Sequence, residues 1–263
     1  MDKNNALSDI KKDLTVVMPA LNEEKNILSA VNSTLEAFKS FDIDGEIIVI
    51  NDGSTDRTEK IVKEIISNEG RIRMITHQSP QGIGASFWDG ADKAYGDAVV
   101  MLPGDGENDP RETFRYYKLL EDVDIVIPFL YNEGSRPLSR KALSFIYRFI
   151  INATFMVNFN YTNGTVLYRR SILQDLPYRN RGFFFQTDIL IRTVKRGYLF
   201  AEVPYKIGSR KHGASKAVSF PSFLKVVRGY ARLVRDYYFT KNSKSDPLFS
   251  EGSRTDLRRN DKE

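Results

Sequence analysis

Four apolar runs recur through the first hundred residues, at 14–18, 46–50, 71–76 and 98–102, and a fifth lies at 124–128. Between the first four lie segments of helical periodicity, at 23–38, 56–67 and 85–95. Strands that alternate with helices at this spacing are joined by crossovers and lie parallel, so the pattern predicts βαβ units and an α/β sheet flanked by helices. Asn22, before Glu23-Glu24, and Asp56, before Arg57, read as helix N-caps.

In such a sheet, ligands sit just beyond the carboxyl ends of the strands. The chemistry-bearing residues of this chain fall there. The first strand runs into Pro19-Ala20-Leu21-Asn22-Glu23, and the second into Asn51-Asp52-Gly53-Ser54-Thr55-Asp56. The fourth runs into Pro103-Gly104-Asp105-Gly106-Glu107-Asn108-Asp109-Pro110. Asp, Asn, Gly and Pro are ordinary turn residues, and any one of these loops alone is explained as a turn. Three polar loops at one edge of one sheet are harder to explain that way. Carboxylates at the first two accept from a nucleobase N–H or ribose hydroxyls. Asp105, Glu107 and Asp109 offer the hard oxygen ligands that Mg²⁺ or Mn²⁺ takes together with phosphate oxygens.

Two other phosphate motifs are disfavoured. Gly82-Ile83-Gly84-Ala85-Ser86-Phe87 follows the third strand instead of the first and has Phe87 where a dinucleotide fingerprint has its last Gly. Gly82 and Gly84 instead read as places where backbone approaches a nucleotide closely. No G-x-x-x-x-G-K-[ST] run occurs.

Composition removes further classes. With no Cys and only His77 and His212, thiolate sites, Cys nucleophiles and multi-His metal centres are out. No signal-length or membrane-spanning apolar stretch is present. Residues 1–125 hold 14 Lys/Arg against 24 Asp/Glu, net −10, whereas 126–263 hold 25 against 10, net +15. The second half therefore favours anions such as phosphates or an acidic membrane surface. There 140–159 reads as a packed or interfacial helix interrupted by Arg148 and Asn152. Short strands are expected at 165–169 and 200–205, and a helix at 186–196. Residues 222–239 form an amphipathic helix, with Phe223, Val226, Val227, Tyr230, Leu233, Val234 and Tyr237 on one face and Lys225, Arg228, Arg232 and Arg235 off it. Residues 241–263 read as a disordered tail.

Taken in order, Pro19-Ala20-Leu21-Asn22-Glu23, Asn51-Asp52-Gly53-Ser54-Thr55-Asp56, Gly82-Ile83-Gly84-Ala85 and Asp105-Gly106-Glu107 resemble the motifs of family 2 glycosyltransferases over about 14–128. The resemblance implies the single-domain GT-A fold, a mostly parallel sheet flanked by helices, with the amphipathic C-terminal helices in addition. It also implies a D-x-D-type motif that holds a divalent metal on a nucleotide-sugar diphosphate. On it, 1–13 is an N-terminal extension, 14–128 the donor-binding half and 129–218 the acceptor half of the same domain. Residues 219–240 are then the amphipathic helix. Pro19, Leu21, Asn22, Glu23, Asp52, Gly82, Ala85, Asp105 and Gly106 become donor-site residues, and Asp105, Glu107 and Asp109 the metal ligands.

The second half is similar to dolichol-phosphate mannose synthases and bacterial polyprenyl-phosphate glycosyltransferases. Asn160 to Arg170 (N-Y-T-N-G-T-V-L-Y-R-R) looks like their D-x-T-S-G-F-x-x-Y-R-R, and Phe185-Gln186-Thr187-Asp188-Ile189-Leu190 like F-Q-x-E-I-L. Glu202-Val203-Pro204 with Arg210-Lys211-His212-Gly213-Ala214-Ser215-Lys216 looks like E-V-P…R-x-x-G-x-S-K. By that resemblance Arg210 and Lys216 clamp phosphates, Arg140 and Ser144 match an acceptor-phosphate R-x-x-x-S, and Ser215 joins them. Glu107 stands for the usual second Asp, and Asn160 for Asp. Phe129-Leu130 stands where the family has G-S-R-Y, with Arg136 as a substitute for the missing Arg.

The expected activity is inverting transfer from a GDP- or UDP-sugar to a polyprenyl phosphate, with Mg²⁺ or Mn²⁺. The enzyme is expected on the cytoplasmic face of a membrane, held peripherally through 222–239 or by a membrane-anchoring subunit, without nucleic acid. A sugar hydroxyl is the other acceptor, and would need Asp188 as base. A nucleotide-sugar-binding protein without catalysis is the reading outside enzymes.

Overall fold

The run around Val16 folds as β1 (Lys12–Ala20), with Leu14 to Met18 all buried. A strand covered on both faces is apolar at successive positions, which is why this run does not alternate. β2 (Gly45–Asn51) is buried along its whole length, while β3 (Ile72–Thr76), at the sheet edge, is half-buried. Helices α1 (Ile27–Phe41), α2 (Thr58–Ile66) and α3 (Ile83–Ala91) make the crossovers that lead to β4 (Gly96–Met101). These are the elements the apolar pattern predicts, with ends moved by a few residues. β1 begins at Lys12, inside the stretch read as an N-terminal extension.

The computed structural model describes residues 12–131, 138–176, 178–206 and 220–239. Its seven strands form one sheet in the order β3-β2-β1-β4-β6-β5-β7, including β5 (Ile125–Leu130), β6 (Leu167–Arg169) and β7 (Phe200–Tyr205). β1 pairs parallel with both β2 and β4, and β2 with β3. The chain steps outward from β1 to β3 and then returns to the opposite side of β1. This reversal opens a crevice at the carboxyl ends of β1 and β4, the switch point where open α/β sheets take ligands. β6 is wedged antiparallel between β4 and β5, and β7 runs parallel to β5 at the far edge.

Neighbouring residues of a strand point to opposite faces, so the core has two layers. Leu14, Val16 and Met18 pack with Ile27, Val31 and Phe38 of α1 on one face. Val17 packs on the other with Phe87 and Trp88 of α3. The second layer also takes residues from α5 (Leu138–Phe155), α7 (Phe185–Lys195) and α8 (Phe220–Tyr238). α8 docks through the buried Leu233 and through Gly229, where an added Cβ would lie 2.8 Å from the Phe184 Cβ.

α4 (Pro110–Phe114), α6 (Arg170–Gln174) and a 3-10 turn at Tyr117–Glu121 were not expected from the sequence. Five residues are too few to show a period. Residues 241–263 lie outside the described residues.

Candidate active site

The loops after β1 and β2 are laced to each other. Asn22, in the left-handed region at φ 58°, is not a helix N-cap, since α1 starts only at Ile27. The Asn22 N–H donates to the Ser54 Oγ at 3.0 Å, and its Oδ1 accepts from the Thr55 N–H at 2.8 Å. The Glu23 N–H donates to the Thr58 Oγ1 at 2.8 Å, and the Glu24 N–H to the Asp56 Oδ2 at 3.1 Å. Asp56 lies one residue before Arg57, the N-cap of α2, and its Oδ1 accepts from the Thr58 N–H at 2.9 Å. Burial pushes the Asp56 carboxyl up, but the donors from Thr58 and Glu24 outweigh this and hold it below its usual range.

Asp52, expected on the donor, is buried and holds protein groups. Its Oδ1 accepts from the Gln81 N–H at 2.7 Å, and its Oδ2 from the Gly82 N–H at 2.9 Å. His77, which sequence reasoning did not single out, bridges the Asp52 Oδ1 (2.7 Å) and the Asp89 Oδ2 (3.1 Å) through its two ring nitrogens. Asp89 in turn takes both Nη atoms of Arg181, at 2.9 and 2.7 Å. Gly84 is not open to a nucleotide, because a Cβ there would sit 2.5 Å from the Gly182 carbonyl oxygen. Ala85 is buried beneath this turn.

The acidic loop leaves β4 at the crevice. The Leu102 N–H donates to the Val17 carbonyl at 3.0 Å, and the Gly104 N–H to the Pro19 carbonyl at 2.9 Å, which ties the loop's start to β1. The chain turns at Gly106, φ 72°, and the Asp105 Oδ1 accepts from the Glu107 N–H at 3.0 Å. Asp109 is the N-cap of α4, with its Oδ1 accepting from the Arg111 N–H at 2.9 Å. Among the described residues, no three Asp, Glu or His side chains form a group that would hold a metal by protein ligands alone. Asp109 commits its Oδ1 to the cap of α4, which leaves Asp105 and Glu107 as the carboxylates of the loop's turn. Mg²⁺ and Mn²⁺ use one or two carboxylates and take phosphate oxygens and water for the rest, and Asp105 with Glu107 fits that demand.

Asp188 sits in the first turn of α7, with its side chain only 1% exposed. Its Oδ2 accepts from the Arg192 Nε at 3.0 Å, while Oδ1 has no hydrogen-bond partner among the described residues. Burial pushes the Asp188 carboxyl up to about 6, against the lowering effect of Arg192. Arg192 also binds the Asp236 Oδ2 of α8 at 2.8 Å and lies over the Tyr178 ring. Asp188 is thus enclosed, with one carboxylate oxygen paired to Arg192 and the other without a hydrogen-bond partner among the described residues.

α8 packs most of its apolar face on the core, with Val227 exposed, and α5, read as packed or interfacial, leaves an apolar face exposed. Of the apolar face read on α8, Leu233 is buried, and Val226, Tyr230, Val234 and Tyr237 pack against the core. On α5, Leu143, Phe145, Ile146, Phe149 and Ile150 are exposed, Phe149 to 64%. The polar interruptions of α5 are tied to protein backbone. The Arg148 Nη1 donates to the Asn160 carbonyl at 2.7 Å, and Asn152 exchanges hydrogen bonds with the Phe159 backbone at 3.0 and 3.1 Å. Ser144 is half-buried on the same helix. Arg136, Arg210, Ser215 and Lys216 lie outside the described residues, as does the Arg140 side chain.

Residues 15–177 match the model of glycosyl transferase family 2. The chain is 26% identical over 218 residues to the polyprenol monophosphomannose synthase of Mycolicibacterium smegmatis, an alignment covering 76% of this chain and 79% of that one. It is 26% identical over 208 residues to the dodecaprenyl-phosphate galacturonate synthase of Rhizobium johnstonii, covering 78% of this chain but only 61% of the relative's length. A crystal structure of glucosyl-3-phosphoglycerate synthase from Mycobacterium tuberculosis, with Mn²⁺, UDP-glucose and phosphoglyceric acid, superposes with a TM-score of 0.65 at 21% identity, covering 85% of this chain and 80% of that one. This last likeness bears on the fold alone.

Proposed function

The chain belongs to glycosyl transferase family 2, and from that premise we propose that it transfers a sugar, with inversion, from a GDP- or UDP-sugar to a polyprenyl phosphate at a membrane surface. Relatives named for polyprenyl-phosphate sugar transfer support the acceptor class. The loops around Pro19, Leu21, Asn22, Glu23 and Asp52 form the donor wall, braced so that little reorganisation is needed on binding. Asp105 and Glu107 would hold a divalent cation, which when bound neutralises charge on the departing diphosphate. Arg210 and Lys216 add positive charge to the phosphates, and Arg136, Arg140, Ser144 and Ser215 receive the acceptor phosphate.

The observation that carries the acceptor is α5. The helix that bears Ser144 ties Arg148 and Asn152 to protein carbonyls and leaves an apolar face outward. A water-soluble acceptor gives no reason for such a face, whereas a lipid phosphate met at a bilayer surface does. The burial of Asp188 agrees with this reading, because a phosphate monoester is already ionised near pH 7 and needs little general-base help. No helix among the described residues is long and apolar enough to cross a membrane. In this reading attachment is peripheral, on the cytoplasmic face, through α5 or through an anchoring subunit.

Screening nucleotide sugars against undecaprenyl and dolichyl phosphate with Mg²⁺ or Mn²⁺, with the lipid product detected by mass spectrometry, tests the reading. A glycosyl phosphoryl lipid is expected from one donor. Transfer only to soluble sugar hydroxyls would replace it with the glycan reading.

A further inference from the structure

The acidic loop is fixed at its start by β1 and at its end by α4, but its middle is held by a side chain from almost a hundred residues later. The Tyr205 hydroxyl donates to the Asn108 Oδ1 at 2.8 Å. Tyr205 is the last residue of β7 and is 3% exposed, with its ring in the core and its hydroxyl meeting the Thr165 side chain as well as this loop. The flanking residues stitch the same two elements. The Lys206 N–H donates to the Glu112 Oε2 of α4 at 3.1 Å. The Tyr116 hydroxyl and the Arg115 Nη2 donate to the Pro204 carbonyl at 2.9 and 3.2 Å. Asn108 stands between Glu107 and Asp109, so a shift of Asn108 moves Glu107 with it.

We propose that Tyr205 is a positioning residue for the divalent cation: through Asn108 it sets the placement of Glu107 relative to Asp105. This rests on the metal-dependent transfer proposed above. Mg²⁺ demands near-ideal octahedral geometry, so a small displacement of one carboxylate is felt in binding. Partners that orient a ligand from behind commonly matter for affinity as much as the orientation they impose. Burial, with Asp109 and Glu112 nearby, pushes the Tyr205 phenol well above its ordinary range. The oxygen therefore keeps its proton, and the hydrogen bond keeps its direction. If Tyr205 only filled the core and met Thr165, Phe would change stability but leave Mn²⁺ binding as it is.

Tyr205→Phe removes the hydroxyl and keeps the ring. Mn²⁺ binding is measured by electron paramagnetic resonance in the presence of UDP or GDP, alongside the metal dependence of turnover and the thermal midpoint. The Mn²⁺ dissociation constant and activation constant should both rise roughly tenfold or more. Turnover at saturating Mn²⁺ should recover to within about threefold of the parent, as when only binding is lost. Asn108→Ala should give the same rise, and the double variant should add nothing, because the two residues act through one bond. Asn108→Ala also decides the matter if Tyr205→Phe fails to fold.

Parent-like Mn²⁺ binding in both single variants, with binding lost in Asp105→Ala, would overturn the role of Tyr205 and leave the metal reading standing. If the parent binds no Mn²⁺ with either nucleotide, the metal reading and the role of Tyr205 fall together.

Discussion

Helices α1 and α5 face opposite ways. α1 buries Ile27, Ala30, Val31, Ala37 and Phe38 against the sheet and, the buried Thr34 apart, turns its polar residues toward water. α5 sends Arg148 and Asn152 to protein carbonyls and leaves Phe145, Phe149 and Ile146 outside, Phe145 to 59%. The halves they belong to differ in the same sense. In the first half, the polar groups at strand ends are tied to neighbouring loops, as Asn22, Asp52 and Asp56 are. In the second half, an ion pair is buried and apolar side chains are exposed. A site braced by hydrogen bonds suits a small charged donor, and an inverted helix suits a partner that is not water.

The strongest way to break this contrast is at the donor edge. Asp105→Ala should lower turnover by roughly 10²-fold or more, as removal of an electrostatic stabiliser does. Excess chelator should silence the parent. Unchanged turnover in chelator, with nucleotide-sugar binding intact, would leave the acidic loop a surface turn and return the chain to a non-catalytic binding role.

The second way is at α5. Fully burying a Phe in an apolar phase is worth about 1.5–3 kcal/mol, so Phe145→Ser with Phe149→Ser should cut liposome co-sedimentation by roughly tenfold or more. Stability should hardly change, because both rings already lie outside. Replacing Lys225 and Arg228 of α8 with Gln should weaken binding to anionic liposomes less, by about 1 kcal/mol per charge, and only at low salt. Full binding by the Phe pair variant with loss in the charge variant would return the membrane contact to α8. Loss of a dimer in sedimentation, without loss of lipid binding, would make the α5 face a subunit contact.

These residues also mark how far the sequence can be read. β1, β2 and β4 and the helices between them are legible because a doubly covered strand must be apolar throughout and a long helix must show its period. The strand-end loops are legible as a set, but their tasks are not. Whether Asp52 meets a ligand or the Gln81 and Gly82 N–H groups depends on a loop 29 residues away. Asn22 looked like a cap because cap signals are local, whereas its positive φ answers to Ser54 and Thr55. The apolar face of α8 was legible and its destination was not, since amphipathicity alone does not distinguish the protein's own core from a lipid surface. On α5, Arg148 and Asn152 read as interruptions because helical pattern rules assume that polar residues face water.

The smallest expected effect on rate falls on Asp188, where it separates the two acceptors. With a phosphate acceptor, Asp188→Asn should keep turnover within about tenfold of the parent, whereas loss of a general base costs about 10²–10⁴-fold. A second measurement tells whether the variant has touched the buried pair. Asp188 titrates near 6 in the folded chain, raised by burial against Arg192, and near 3.9 in an unfolded one. Between these values the folded state keeps a proton that the unfolded state releases. Stability from this group is therefore present below about pH 4, falls as pH rises to about 6, and is flat above. The full change is of the order of 3 kcal/mol, taking 1.36 kcal/mol per unit. Denaturant unfolding of the parent at pH 4.5 and pH 7 should show this fall, and Asp188→Asn, which cannot titrate, should flatten it. A variant with the flattened profile and near-parental turnover supports a phosphate acceptor. The same profile with turnover down by three orders of magnitude would make Asp188 the base for a hydroxyl, and α5 would then need a partner other than the acceptor's membrane.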